Sequence, residues 1–398
     1  MSDQDGTAAS DEWSDQETAL TEEEVASRDA FVASVRELYE AGTPFFTREM
    51  IQLAQDQVDQ IANDSATPRR VDRLGFDGKM HPQYVSPSSA FSKVHNEVYL
   101  PRVSYKSFES LTMLSPRRQC LDALVSVGIA SVCDGVTDES DISQDVVRRA
   151  FDECLDLWEQ SDEWAGLKER IRPHLSTLPM TIDKIIGFGL GDLSIAVARD
   201  VDEEMKKRSS EQHALMLTLA GILEETTGNG VKCHAQDPAY SNICKEILAQ
   251  RGVDVVHGDR GFLLVDDKSI VLSFSPNVPV RQVIADLTRP AMMVWDIMSK
   301  PERSEWRRSR GVWISPHTTD PVSPRVLAMK EEKGERDFKA ATRSESLPVE
   351  EKQLGIAPSF EKGAQTDMMT MASEPGMAKV MKDGHTSADH KQQEQYNK

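Results

Sequence analysis

Between residues 184 and 295 the sequence alternates short β-rich runs with helical stretches, and this alternation limits the possible folds more than any other feature. The β-rich runs are "KIIGF" (184–188), "VKCHA" (231–235), "VDVV" (253–256), "IVLSF" (270–274) and "AMMVW" (291–295). Helical stretches separate them at Glu211 to Thr226, Tyr240 to Gln250 and Pro279 to Leu287. Parallel neighbours cannot be joined by a tight turn, so strands that alternate with helices form a parallel sheet with crossover helices. The expected product is an α/β, Rossmann-like, three-layer domain with a mainly parallel sheet, spanning 176–300.

In front of it, residues 21–175 read as mainly helical. "TEEE" at Thr21 places a hydroxyl at a helix N-cap and Glu24 three residues on, a capping box. Phe31, Val32, Val35, Leu38 and Tyr39 follow at helical spacing until Gly42. A second helix runs from Arg48 to Ala62, with Met50, Ile51, Ala54, Val58 and Ile61 on one face. The Pro-, Ser- and Gly-rich stretch near 63–105 reads as an irregular linker, and helices are expected again over Pro116 to Cys133 and Ser143 to Gln160. A further helix carries Trp164, Leu167 and Ile171 toward Pro173.

Both ends are expected to be disordered tails, 1–20 and 301–398. The first 27 residues hold nine acids and no Lys or Arg, supplying −9 of the net −20. Such a segment cannot bury enough apolar surface to order itself. The net charge argues against a general nucleic-acid binder, because neutralising phosphates needs an excess of cations on one face. Lys300, Arg303, Arg307, Arg308 and Arg310 form the one basic cluster, which reads as a solvated stretch leaving the domain rather than a nuclear-import patch. Five cysteines without CxxC spacing imply a reducing compartment, cytosolic or nuclear. The run "CLDALVSVGIASVC" is too short to span a bilayer, so no membrane partner is expected.

"GFGLGD" ends the first strand of the alternating region, where glycines let a ligand approach the backbone and a following helix favours anions. A dinucleotide loop would need glycine at 192, where this chain has Asp192. The spacing is nearer the loop of S-adenosylmethionine enzymes, whose second-strand acid Asp237 matches by position, while Ile185 stands where their first acid belongs. "SFSPNVPV" partly matches the amino-methyltransferase motif after strand four. The residues expected to border a ligand are Gly187, Gly189, Gly191, Asp192, Ser194, Gln212, Asp237, Ser275 and Asn277. If Asp237 serves a ligand, Asp237→Asn is expected to spare the melting temperature. His213, His234 and His257 read as structural or surface residues, no metal site is expected, and no catalytic residue can be assigned.

"KIIGFGLGDLS", "EQHALMLTLAGIL", "AQDPAYSNICKEILAQRGVDVV", "VLSFSPNVP" and "MMVWD", in this order, resemble the Sensitivity-to-Red-light-Reduced (SRR1-like) family in its fungal form. The match runs from about Met180 to Ser299, and "LYEAGTPFFTREMI" and "SYKSFESLTM" are similar to N-terminal extensions of fungal members. The resemblance implies a regulatory protein with a Rossmann-like domain, no settled enzymatic activity and protein partners. Plant members are tied to light signalling and the circadian clock, other eukaryotic members to cytoskeletal behaviour and regulation of haem synthesis. The family blocks map onto Gly189, Gly191, Ser194, Gln212, Asp237, Pro238, Glu246 and Pro276. Where relatives carry Pro-His-Cys, this chain has Pro276, Asn277 and Val278, so no role transfers to that His and Cys. "ARDVDEEMKKRSS" (198–210) reads as a charged insertion beside the pocket. Three readings follow: a regulatory protein binding partners and a small ligand, an S-adenosylmethionine-dependent methyltransferase, or a loop that is only a turn.

Overall fold

The computed structural model describes residues 20–62, 69–85, 98–116, 123–134, 142–175, 182–198, 201, 203–296, 305–309 and 312–333. The tails at 1–19 and 334–398, and Lys300, Arg303 and Arg310 of the basic cluster, lie outside them.

Five parallel strands form the central sheet: β5 (Lys184–Phe188), β6 (Lys232–Gln236), β7 (Val253–Val255), β8 (Ser269–Ser273) and β9 (Met292–Trp295). Their order is β7-β6-β5-β8-β9, so the chain winds one way from β5 and then returns past it to β8. This is the expected α/β architecture. Each strand falls within a residue or so of its β-rich run, because strands buried on both faces read as continuous apolar sequence.

Alternation along the strands builds two cores. Ile185, Ile270 and Leu272 face one, shared with α4 (Gln144–Gln160), α5 (Asp162–Leu175), α6 (Glu203–Thr227) and α7 (Asn242–Gln250). Ile186, Phe188 and Val271 face the other, against α9 (Val280–Leu287). On that second face the crossover from β7 to β8 contains only α8 (Gly261–Leu264), too short to cover the sheet. The N-terminal region supplies the missing layer. α1 (Glu22–Glu40) starts at the capping box of Thr21 and Glu24, as read from sequence. α2 (Arg48–Ala62) lays Met50, Ile51, Ala54 and Ile61 into the core. Arg48 then donates to the carbonyls of Leu263 and Val265, satisfying the end of α8.

Two expectations are corrected here. Within the segment expected to be an irregular linker, β1 (Arg69–Leu74) and β2 (Met80–Val85) pair as an antiparallel hairpin. β3 (Val98–Tyr105) is followed by α3 (Phe108–Thr112) and pairs antiparallel with β4 (Val127–Asp134), so residues 127–134 form a strand where a helix was expected. An apolar run of this length fits a buried strand and a core helix equally, and tertiary pairing decides between them. Tyr105 from this region packs against Phe46 and against Phe262, which stacks on Phe188 of β5 with 4.5 Å between ring centroids.

The fold also continues past residue 300, within the expected C-terminal tail. β10 (Arg307–Ser309) and β11 (Val312–Ile314) form a short ribbon, and α10 (Pro324–Lys333) buries Val326 and Met329. Among the described residues, no helix is long and apolar enough to cross a membrane.

Candidate functional site

The strand order reverses between β5 and β8, and ligands of open α/β sheets bind in the crevice at such a reversal. Gly189 and Gly191, just past β5, adopt φ of +68° and +78°, a region L-residues rarely enter. Past β8, the loop carries Ser275, Pro276 and Asn277. A Cβ on Gly189 would stand 3.3 Å from Pro276 Cβ, so the two loops already touch across the reversal. Gly187 is different: it lies inside β5, where a Cβ would meet Leu190 Cδ1 and Met216 Cε at 2.5 Å. Its place is in the core beneath α6.

Most loop amides are taken by the chain's own acceptors. The Gly189 N–H donates to the Gln236 carbonyl at 3.0 Å, and the Gly191 N–H to Asp237 Oδ2 at 2.7 Å. Asp237 Oδ1 accepts from the Ala239 amide at 2.8 Å. Asp192 is buried; its Oδ1 accepts from Ser194 N–H at 2.7 Å and its Oδ2 from Ser241 N–H. Leu193 N–H reaches Cys244 Sγ at 3.4 Å. In a phosphate-binding loop such amides point at the ligand. Here two carboxylates stand in the positions an anion would take.

Burial raises the pKa of Asp237, the Asp192 charge adds to the rise, and the two donated backbone hydrogen bonds oppose it. Burial raises the Cys244 thiol as well, again with Asp192 alongside.

The site residues fall into two groups. Gly189, Gly191, Asp192, Ser194, Gln212 and Asp237 gather around the loop. Gln212 is buried, and with its amide oriented to satisfy both ends it donates to the Leu190 carbonyl at 3.0 Å and accepts from Arg208 Nε at 3.3 Å. Ser275 and Asn277 are exposed on the β8 side. Ser275 holds φ +46°, with its N–H and Oγ both donating to Asp296 Oδ2. The charged stretch expected to be an insertion begins α6 from Glu203 onward. Ser209, from that stretch, is buried and donates to the Gly191 carbonyl at 2.7 Å.

Sequence reading missed the polar pair behind the loop. His213 is fully buried; Nδ1 lies 2.7 Å from the Ser209 carbonyl and Nε2 2.9 Å from the Tyr240 hydroxyl. The carbonyl can only accept, so Nδ1 carries the proton and Tyr240 donates to Nε2. Burial depresses this imidazole to about 4, keeping it neutral. No local motif signals the pair, since its members lie 27 residues apart on different elements.

Among the described residues no group of three His, Cys, Asp or Glu side chains is arranged to hold a metal. Two surface depressions, of about 350 and 420 Å³, lie at Lys168 to Pro173 on α5 and beside α7 and β7 at Lys245 to Val255. Neither borders the glycine loop.

Fold and site thus define a Rossmann-like α/β protein whose strand-end loops are closed by internal carboxylates. Within that class the chain carries a stretch similar to the SRR1 domain: the model of that domain matches residues 167–357, from α5 through α10 and beyond the described residues. No curated protein and no solved structure matches the chain.

Proposed function

We propose that this chain is a regulatory SRR1-domain protein that acts by binding, through protein partners and a small ligand met at the rim of the glycine loop, without turning over a substrate. The observation that carries this reading is the inward position of Asp237. In a methyl-donor site the acid after the second strand faces the ligand's ribose; here both its oxygens accept backbone amides, from Gly191 and Ala239. In the methyltransferase alternative a donor's ribose would share the Asp237 carboxylate with those two amides. Ser275 and Asn277 are exposed at the rim, on the opposite side of the reversal.

The test is a thermal-shift titration of the full chain with S-adenosylmethionine, its demethylated product, nicotinamide and flavin cofactors, and nucleotides. A ligand at a hundredfold excess over its dissociation constant adds about 2.7 kcal/mol. The binding reading expects no shift from the methyl donor or its product. A shift of several degrees with either would favour the methyltransferase.

A further inference from the structure

A second anion position lies past β8, on the other side of the reversal. α9 begins there behind Pro279, which makes no side-chain cap. The N–H of Arg281, in the first turn, instead donates to Asp320 Oδ1 at 3.0 Å, from 39 residues further along the chain. The Arg281 side chain, only 8% exposed, turns to the same carboxylate: Nε stands 3.3 Å from Asp320 Oδ2. Nη1 donates to the Asp320 carbonyl at 3.3 Å, Nη2 to the Asp296 carbonyl at 3.1 Å, and the guanidinium lies 5.5 Å from the Trp295 ring. One carboxylate is therefore clamped between a helix N-terminal amide and a buried guanidinium. Sheets of this topology hold a ligand's oxyanion in the same manner.

The fit of that carboxylate is incomplete. Arg281 Nε and Asp320 Oδ2 face each other yet neither completes a hydrogen bond, and the buried Ser273 hydroxyl at the end of β8 also lacks one. Ser273 alternates with Leu272 and so projects to the α9 side. The surroundings are also short of positive charge: Asp296 and Glu109 both act on Asp320, with Arg281 as the opposing cation. Burial pushes Asp320 up to about 7, so its charge is held at a cost. The segment that carries it is tied to the loops of the reversal, because Thr319 Oγ1 donates to the Pro276 carbonyl and Pro276 abuts Gly189.

We propose that the amide and guanidinium of Arg281 form an oxyanion site for the carboxylate or phosphate group of a ligand, and that Asp320 occupies this site in cis. The ligand enters when the segment around Thr319 and Asp320 leaves, and its departure frees Pro276 and the glycine loop with it. This site does not depend on the glycine loop's own ligand, and a null result with nucleotides or methyl donors leaves it standing.

The experiment compares full-length wild type, Asp320→Ala and Asp320→Ala/Arg281→Met by thermal melting in chloride, acetate and inorganic phosphate at matched ionic strength. Asp320→Ala should gain several degrees in acetate or in phosphate over chloride, and the more effective anion separates a carboxylate ligand from a phosphate. Wild type and the double variant should gain nothing. If Asp320→Ala does not fold in chloride, its refolding yield in the same three salts is the readout, with recovery expected in acetate or phosphate. Asp320→Asn keeps an acceptor for the Arg281 amide and should respond to the same anion more weakly. An Asp320→Ala chain that neither gains stability nor refolds in either anion overturns the proposal. So does an equal gain in all three proteins.

Discussion

Asp286 and Arg325 fasten the two ends of the fold to each other. Asp286 Oδ2 accepts the amides of Phe45 at 2.7 Å and Phe46 at 3.1 Å, while Oδ1 pairs with Arg325 Nη1 at 2.9 Å. Arg325 also donates through Nη2 to the carbonyls of Tyr39 and Thr43, and its guanidinium lies 3.9 Å from the Tyr39 ring. It binds carbonyls at and just beyond the end of α1, where the Tyr39 carbonyl also accepts from the Gly42 N–H at 3.1 Å. Breaking a buried pair by removing one partner costs about 3–5 kcal/mol. Asp286→Ala should fall in that range, since it orphans two amides and a cation. Arg325→Ala should fall at its lower edge, because the guanidinium side chain is 20% exposed. Urea denaturation of both variants measures the order, and a smaller loss for Asp286→Ala would refute the clamp.

Much of this fold is legible in local sequence, and the remainder is set by distant partners. "KIIGF" declares β5 because two isoleucines and a phenylalanine alternate between two cores. The Thr21 capping box is equally plain, as both its members lie within one turn. β4 reads as a helix because its pairing with β3 leaves no mark on its own composition. Arg325 and Asp320 stand in polar sequence that looks like tail, and their roles depend on Asp286 and Arg281, each 39 residues away. The glycine loop was readable as a loop. That its amides are closed by Asp192 and Asp237 was not, since an acid facing a ligand and one facing the backbone are the same letter.

A chain ended after Ser299 tests the corrected boundary. It lacks Asp320, Arg325 and the buried side chains of Val326 and Met329. We expect such a chain to lose its cooperative melting transition or to melt many degrees below the full-length protein. Retention of the full-length melting temperature would return residues 305–333 to the status of a tail.

The His213–Tyr240 pair gives a pH dependence with a defined sign. The folded-state pKa of His213 is depressed to about 4, below its ordinary 6.5. Between those values the unfolded chain binds a proton that the folded chain does not, so stability rises with pH across the window and is lost as pH falls from 6.5 toward 4. His213→Asn should be less stable than wild type at pH 7. Its stability should also decline less steeply over the window, which urea titrations at several pH values can follow. Parallel profiles for the two proteins would mean that the buried imidazole does not govern this acid limb.

Glycine substitutions distinguish core from loop. Gly187→Ala must displace Leu190 and Met216, and overpacking of this kind costs about 1–3 kcal/mol. Gly191→Ala meets only Ser209 at 3.3 Å but keeps φ near +78°, where an L-residue costs about 1–2 kcal/mol. We expect the two losses to overlap in size and to differ in origin. Measured against Met216→Ala alone, the Gly187→Ala loss should shrink and the Gly191→Ala loss should not; shrinkage of both, or of neither, would contradict the assigned causes.

Asp237→Asn bears most directly on what the strand-end loop is for. Read as a ligand-facing acid, Asp237 could be changed to its isostere with no loss of stability. The geometry predicts otherwise. Both carboxylate oxygens accept, one from Gly191 N–H at 2.7 Å and one from Ala239 N–H at 2.8 Å. Asparagine offers one acceptor and one donor, so one of those amides must face an NH2 group. An unmet buried donor costs about 1–3 kcal/mol, and here the loss falls at the lower end, because Gly191 is half-buried and Ala239 exposed. Relief of the buried charge, whose cost shows in the raised pKa of Asp237, offsets part of that loss. We therefore expect a lowered melting temperature, together with faster hydrogen exchange at Gly191 or Ala239. With that result, any loss of biological activity in the variant belongs first to the loop's architecture. An Asp237→Asn protein that melted with the wild type and kept both amides protected would show that the carboxylate is not what holds the loop, and would release it to serve a ligand.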